Sequence, residues 1–427
     1  MTNLSNKSDR AIAVSVLTDV LDAGAYANIA LRKTLSEANI DPRARAFVTD
    51  LVNETLRNLI QIDYTINRYS KTPVDKMKPF IRNLLRISTC QIKFMDKIPD
   101  RAAVNEAVVL TKAFGFANLS GFVNAVLRNI SRENTDKIKS PMLKYSYPKW
   151  LMEKLKLWLG EAGAQSFYEN SHQPPPLIII ANTYKTTASD LALLLQKEEI
   201  DASPLDGDPN SPFLILRQAG DITRLASFKD GLFSVMDPGA MHAVTALNPQ
   251  PGQTIIDVCA APGGKSFAMA ALMKNSGKIL SYDIHPHRVE LINQTRKRLG
   301  LSAVTPLVKD ATVFDPALEA SADAVLLDAP CSGFGTIRKH PEIKYTRTLQ
   351  DIKDLTALQK QMLDTAEKYV KTGGKLVYCT CTVTQEENGD NIKQFLETHP
   401  HFTLVSEEQI MPSATSDAFY IAEMVKS

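Results

Sequence analysis

Apolar residues recur every three or four positions through the first third of the chain, as in Ile12, Val16, Val20, then Met77, Phe80, Ile81, Leu84, then Phe122, Val123, Val126, Leu127, Ile130. That is the spacing of amphipathic helices, and no alternation of period two interrupts it. Turn signals at Thr72-Pro73 and Ile98-Pro99-Asp100 separate the segments, so the pattern predicts an all-helical domain over residues 1–141, a bundle of five or more helices. A further helix containing Trp150, Leu151, Leu155 and Leu159 is expected around Pro148 to Tyr168, before Gln173-Pro174-Pro175-Pro176. Three prolines with fixed φ make a stiff extended joint. Beyond it, the β-branched run Leu177 to Ala181, a helical stretch Thr187 to Glu198 and the alternating Phe213 to Arg217 predict a small α/β subdomain, which with the linker helix occupies residues 142–234. From Val235 the pattern becomes strand, loop, helix, repeated, with strands at Thr254 to Val258, Ile279 to Tyr282, Val304 to Val308, Ala324 to Leu327 and Leu376 to Tyr378. Such alternation predicts a doubly wound, Rossmann-like α/β domain over 235–427, with ligands at the carboxyl ends of a parallel sheet.

Composition narrows this little: 44% hydrophobic and 22% charged residues are ordinary for a soluble protein, and no apolar run approaches the roughly 18 residues of a membrane span. Met1 to Asp9 is polar and lacks the apolar stretch of a secretory signal, which leads us to expect a cytoplasmic protein with reduced thiols. The five cysteines, Cys90, Cys259, Cys331, Cys379 and Cys381, include no Cys-x-x-Cys pair, so neither a disulfide framework nor a metal ribbon is expected. Charge is distributed unevenly. Residues 1–140 hold 21 Lys and Arg against 14 Asp and Glu, a surplus of +7 within a chain whose total is +2, so the remainder carries −5. A basic front section attracts phosphate-rich partners through counterion release; a solvated basic surface is the other reading of the same numbers.

The first strand of the rear domain runs into Asp257-Val258-Cys259-Ala260-Ala261-Pro262-Gly263-Gly264-Lys265-Ser266, which places a glycine pair between a buried strand and a helix beginning near Lys265, where backbone can approach a ligand closely. It is neither Gly-x-Gly-x-x-Gly nor a phosphate loop. The next strand ends at Asp283, where a carboxylate can take both hydroxyls of a ribose. The two after it are followed by Asp310 and Asp328. Carboxylates at four consecutive strand mouths suit a nucleoside cofactor with a positive centre, such as the sulfonium of S-adenosylmethionine, better than one carrying pyrophosphate.

Two further loops on that edge carry cysteine: Asp328-Ala329-Pro330-Cys331-Ser332-Gly333 and Tyr378-Cys379-Thr380-Cys381-Thr382-Val383. Two thiols are therefore expected to converge beside the cofactor. Cys90 and Cys379 are read as small core residues, with Cys379 pointing away from Cys381. A thiol beside a methyl donor has a specific use. Carbon 5 of a pyrimidine is too weak a nucleophile to be methylated directly, but a thiolate adding at carbon 6 makes carbon 5 enamine-like. A second cysteine then assists release. An ordinary thiol is only about 3% ionised at pH 7, so the site must lower its pKa or supply a base. Asp328 is placed to hydrogen-bond the ring nitrogen or amino group of the base, and a base within a stem must be extruded to reach such a pocket.

At Cys259-Ala-Ala-Pro-Gly-Gly-Lys265, Asp328-Ala-Pro-Cys-Ser332, Arg338-Lys-His-Pro-Glu-Ile-Lys344, Thr380-Cys-Thr-Val383 and Glu386-Glu-Asn388, the chain resembles the Sun (Fmu-type) RNA cytosine-C5 methyltransferases. Ala102-Ala-Val-Asn-Glu-Ala107 and Ser120-Gly-Phe-Val-Asn-Ala-Val-Leu-Arg128 resemble that family's NusB-like RNA-binding helical domain, so the likeness covers nearly the whole chain. The resemblance implies a class I S-adenosylmethionine-dependent fold, Cys381 as nucleophile, Cys331 as the residue aiding product release, and cofactor contacts from Cys259, Ala260, Ala261, Pro262, Gly263, Gly264, Lys265, Asp283, Asp310 and Asp328, with Arg288 buttressing the pocket. It also implies a cytosine in a hairpin of 16S ribosomal RNA as substrate, no DNA or membrane partner, and a monomer. The chain departs from the family pattern at Ile180, where arginine is usual, and at Met236 and Ala418; the change at Ile180 is expected to weaken or redirect RNA contacts. A nicotinamide-dependent oxidoreductase is disfavoured by the missing Gly-x-Gly-x-x-Gly turn, a non-catalytic NusB-like RNA-binding factor by the two loop cysteines. A C5 methyltransferase acting on another RNA stays open.

Overall fold

The computed structural model describes residues 8–427 except 39, 134–137, 139 and 218; most of the polar start, residues 1–7, lies outside the described residues. The chain divides into two compact units. One runs up to His172 and also contains Ile337–Arg347; the other comprises Gln173–Thr336 and Thr348–Ser427.

The first unit is helical: α1 (Asp9–Leu21), α2 (Ala27–Glu37), α3 (Pro42–Arg57), α4 (Leu59–Tyr69), α5 (Pro79–Phe94), α6 (Asp100–Ala113), α7 (Ser120–Arg132), α8 (Pro141–Tyr145) and α9 (Lys149–His172). Helix starts follow local chemistry. Ser8 accepts from the Ala11 amide, and Asp41 accepts from the Arg43 and Ala44 amides ahead of Pro42 at the first helical position, satisfying amides that have no partner within the helix. The apolar stripes meet in one core in which Ile12, Val16, Val20, Ile81, Leu84, Val123, Val126, Leu127 and Ile130 are buried. Cys90 lies in that core, and burial pushes its thiol up to about 12. The short helix α15 (Ile343–Thr346) belongs to this unit although the sequence around it belongs to the other.

The second unit contains two sheets. The smaller consists of β1 (Leu177–Ala181), β2 (Asp201–Pro204), β3 (Phe213–Arg217) and β4 (Phe233–Val235) in the order β2-β3-β1-β4, all antiparallel. Helices α10 (Ala188–Lys197) and α11 (Ala226–Lys229) accompany it. Alternation sorts its side chains: Ile179, Ala181, Leu214, Leu216 and Phe233 face Leu191 and Leu195, whereas Ile178, Ile180 and Phe213 join the core of the larger sheet. Ile180 is therefore an internal residue, and so are Met236 and Ala418. Ile180, where the family that the chain resembles usually has arginine, fills core.

The larger sheet has seven strands in the order β10-β11-β9-β8-β5-β6-β7: β5 (Thr254–Asp257), β6 (Lys278–Asp283), β7 (Val304–Val308), β8 (Ala322–Asp328), β9 (Val370–Thr380), β10 (Phe402–Ile410) and β11 (Phe419–Lys426). The five strands expected from sequence are parallel, and β10 and β11 add an antiparallel pair beside β9. Helices α12 (Pro238–Leu247), α13 (Gly264–Leu272) and α14 (Pro286–Leu299) bury Ile255, Ile279, Leu326, Val377 and Ile421 on one face. Helices α16 (Leu349–Ala366) and α17 (Gly389–Thr398) bury Ile256, Leu280, Val325, Tyr378 and Tyr420 on the other. Strand order reverses between β5 and β8, and a crevice opens at the carboxyl ends of strands at such a reversal.

Candidate active site

A cavity of about 560 Å³ lies at that point, lined by Cys259, Ala261, Asp283, Arg288, Asp310, Asp328, Cys331 and Cys381 among others. Each residue arrives from a strand end. Asp283 closes β6; its carboxylate accepts from the His285 amide at 2.8 Å, and Arg288 approaches it to 3.9 Å. Asp310 follows β7 and is held by the amide and hydroxyl of Thr312 at 2.8 and 2.7 Å. Asp328 closes β8, and the Lys265 ammonium donates to its Oδ2 at 2.5 Å. Burial penalises the Lys265 charge, but Asp328 beside it wins and pushes the ammonium pKa up.

Not every expected contact lines the cavity. Cys259 and Ala261 line it, but Ala260, Pro262, Gly263, Gly264 and Lys265 do not, and Gly263 has φ +105° as the residue that opens α13. An added Cβ there would lie 2.4 Å from the Phe267 ring. Asp257 is internal too. It is 1% exposed and accepts from Ser266 at 2.6 Å, and burial raises its carboxyl to about 7. The carboxylates facing the cavity are thus three, not the four expected from strand ends. Lys309, His285 and Thr312 also line it; sequence reading did not single them out, although each lies within two residues of an aspartate that it did.

The thiols meet. Strands β8 and β9 are parallel neighbours with Asp328 opposite Cys379, so the loops leaving them are adjacent, and Cys331 Sγ lies 3.4 Å from Cys381 Sγ. The hydrogen bond to Cys381, burial and the nearby Glu387 carboxylate drive the Cys331 thiol well above its ordinary pKa. Cys331 is therefore held in its thiol form at neutral pH, and either sulfur can donate in the S–H···S contact. Cys379 is buried, but it is not turned away from Cys381: both pack against the same core, and the Cys379 thiol donates to Asp328 Oδ1 at 3.4 Å. Residues two apart on a strand share a face, which is the physical reason the opposite expectation fails.

The donor set fits S-adenosylmethionine. Carboxylates at 283 and 310 can accept from ribose hydroxyls and an amino group, and the negative cluster suits a sulfonium. Among the described residues no group of three His, Cys, Asp or Glu could hold a metal ion, and no helix is long and apolar enough to cross a membrane.

Comparisons with known proteins find relatives along nearly the whole chain. Residues 244–425 match the family model described as 16S rRNA methyltransferase RsmB/F, residues 7–132 the NusB family, and residues 147–223 the ferredoxin-like domain of RsmF/B-like methyltransferases. The chain is 35% identical over 407 residues to a probable ribosomal RNA small subunit methyltransferase B of Bacillus subtilis, covering 93% of this chain and 90% of that protein. It is 34% identical to ribosomal RNA small subunit methyltransferase B of Shewanella oneidensis, covering 98% and 99%. The crystal structure of PH0851 is similar throughout, with a TM-score of 0.82 at 26% identity and 99% of each chain covered.

Proposed function

The chain belongs to the RsmB/F family of S-adenosylmethionine-dependent methyltransferases, and from that premise we propose that it methylates carbon 5 of a cytosine in 16S ribosomal RNA through a covalent adduct with Cys381. The observation that carries this reading is the 3.4 Å approach of Cys331 and Cys381 beside a carboxylate-lined cavity. Two thiols at a methyl-donor site have no role in methylating a hydroxyl or an amine, whose lone pairs attack directly. Carbon 5 needs them.

When bound, S-adenosylmethionine supplies an electrophilic methyl group; Asp283, Asp310, Arg288, Cys259 and Ala261 would hold it. Asp328, paired with Lys265, accepts from the exocyclic amino group of the flipped cytosine and fixes the ring plane. Once its proton has passed to a basic group or water, the Cys381 sulfur bonds to carbon 6, and the electron pair of the 5,6 double bond moves to carbon 5. After carbon 5 is methylated, its proton passes to a basic group or water, the double bond re-forms, and Cys381 departs as thiolate. The protonated Cys331 donates its S–H to that departing sulfur. The basic helical unit supplies RNA affinity. The same reading makes the protein a cytoplasmic monomer with a small-subunit hairpin as its partner.

The test is incubation with labelled S-adenosylmethionine and small-subunit RNA, followed by nucleoside analysis. Label in 5-methylcytosine is expected. Cys381→Ala abolishes transfer with cofactor affinity unchanged, because sulfur acts on the base and not on the donor. Cys331→Ala accumulates a denaturation-resistant protein–RNA adduct. The reverse pattern overturns the role assignment, and label only in another RNA overturns the substrate.

A further inference from the structure

Both cysteine loops stand on one buried dipeptide, Glu387-Asn388, in the turn that opens α17. Glu387 is fully buried, and an isolated carboxylate there is costly unless its lone pairs are satisfied. Four donors satisfy it: the Ser332 amide at 2.8 Å, the Ser332 hydroxyl at 2.5 Å, the Thr384 hydroxyl at 2.7 Å and the Gln359 amide group at 3.0 Å. Gln359 also donates to the Pro330 carbonyl at 2.9 Å. The residues on both sides of Cys331 are thus tied to a single carboxylate. Asn388 does the same for the other thiol. Its Oδ1 accepts from the Thr380 hydroxyl at 2.7 Å, and its Nδ2 donates to the Thr382 carbonyl at 3.2 Å, on either side of Cys381. Ser332 Oγ and Thr382 Oγ1, 2.7 Å apart, close the bracket.

We propose that Glu387 and Asn388 are positioning residues that set the separation and orientation of the Cys331 and Cys381 sulfurs, Glu387 holding the first loop and Asn388 the second. Neither touches the reacting atoms. The bracket lies beneath the loops, and its donors are flanking residues rather than the thiols themselves. Loops alone do not hold a reacting pair to the roughly 0.5 Å that such chemistry tolerates. A carboxylate has the right chemistry for Glu387, since all four of its partners donate; an amide has the right chemistry for Asn388, since it must accept from Thr380 and donate to Thr382. The assignment rests on the thiol roles proposed above, and its test reads sulfur geometry without methyl transfer.

Phenylarsine oxide condenses with two neighbouring thiols, releasing one water, and is the probe. The full-length protein is expected to bind it as a dithiol, with Cys331→Ala setting the zero. Glu387→Gln keeps the volume but presents an N–H to donors, and Asn388→Asp presents a carboxylate to the Thr382 carbonyl. Each is expected to weaken arsenical binding tenfold or more and to lower kcat by a similar factor, with KM for S-adenosylmethionine unchanged. Thr382→Val, isosteric and lacking only the closing hydroxyl, gives a smaller fall in the same direction and decides the matter should the first two variants not fold. Wild-type arsenical affinity in folded Glu387→Gln and Asn388→Asp, or in Thr382→Val where those do not fold, overturns the bracket. Loss of the arsenical in the bracket variants alongside full methyl transfer by Cys381→Ala overturns the nucleophile assignment and leaves the bracket standing.

Discussion

Among the residues of the site, Asp257 shows how burial decides between two readings of one carboxylate. It sits at the end of β5, where ligand contacts are common, yet it is 1% exposed, its Oδ2 takes the Ser266 hydroxyl, and that hydroxyl in turn meets Ser281 at 2.8 Å. Desolvation favours the neutral form and lifts the carboxyl from 3.8 to about 7. Between those values the folded chain holds a proton that the unfolded chain has lost, so this group's contribution to stability falls as pH rises from about 4 to about 7 and is flat above. The full shift corresponds to on the order of 4 kcal/mol. Asp257→Asn, which cannot ionise, is expected to raise the denaturant midpoint relative to wild type more at pH 8 than at pH 5. An equal difference at both pH values removes the burial argument. The same residue marks a limit of sequence reading, because a strand-end aspartate facing a cavity and one facing a neighbouring serine have the same local pattern. Cys331 and Cys381 were legible, since each follows a strand on the ligand edge. The direction of Cys379 was misread, and the roles of Glu387 and Asn388 could not be read at all: the partners Ser332 and Gln359 lie 55 and 28 residues away from Glu387 in sequence, and only the fold brings them together.

Elements built from local periodicity were the most legible. Helices α1, α5 and α7 and the five parallel strands announce themselves through spacing of 3.6 or through short β-branched runs. The antiparallel pair β10 and β11 did not, because β10 is largely exposed along its length and shows no clean alternation. This pair has a consequence for the site. The turn preceding β11 comes against the loop that follows Cys331: Gly335 donates its amide to the Cys381 carbonyl at 2.9 Å, and its own carbonyl accepts from Ala418 at 3.1 Å. No room exists for a side chain there, since an added Cβ would lie 2.3 Å from the Ala418 oxygen and 2.7 Å from the Cys381 oxygen. Both obstacles are backbone, and backbone in a packed interior yields only by moving its neighbours. Gly335→Ala is therefore expected to displace Cys381 and to cut methyl transfer at least tenfold, with cofactor affinity little changed. A variant that turns over normally would show that this carbonyl tolerates displacement.

At the scale of the whole molecule, the chain leaves the second unit after Thr336, contributes Ile337–Arg347 to the helical unit, and returns at Thr348. Sequence neighbours gave no sign of this, because the Arg338 to Lys344 motif lies between catalytic-domain elements. Arg338, Glu342, Ile343 and Lys344 of this motif are buried within the first unit. Lys344 donates to the carbonyls of Arg57 at 2.8 Å and Tyr145 at 3.2 Å, and burial depresses its pKa well below that of an ordinary lysine. Glu342 accepts from the Ala27 amide at 3.0 Å, Arg57 donates to the Arg338 carbonyl at 3.2 Å, and Tyr345 donates to the Ser146 carbonyl at 3.0 Å. Hydrogen bonds to charged groups contribute about 1.5–3 kcal/mol each, and a buried group deprived of its partner costs a comparable amount. A fragment ending at residue 172 keeps α1 to α9 but lacks α15 and these partners. It is expected to melt well below the helical transition of the intact chain, and a synthetic peptide spanning residues 337–347 added in trans should raise its melting temperature in a saturable way. The peptide carrying Lys344→Ala and Glu342→Ala serves as the control and should do so only weakly. Equal stabilisation by both peptides would mean that the apolar residues of the segment, not its buried charges, hold it in the bundle.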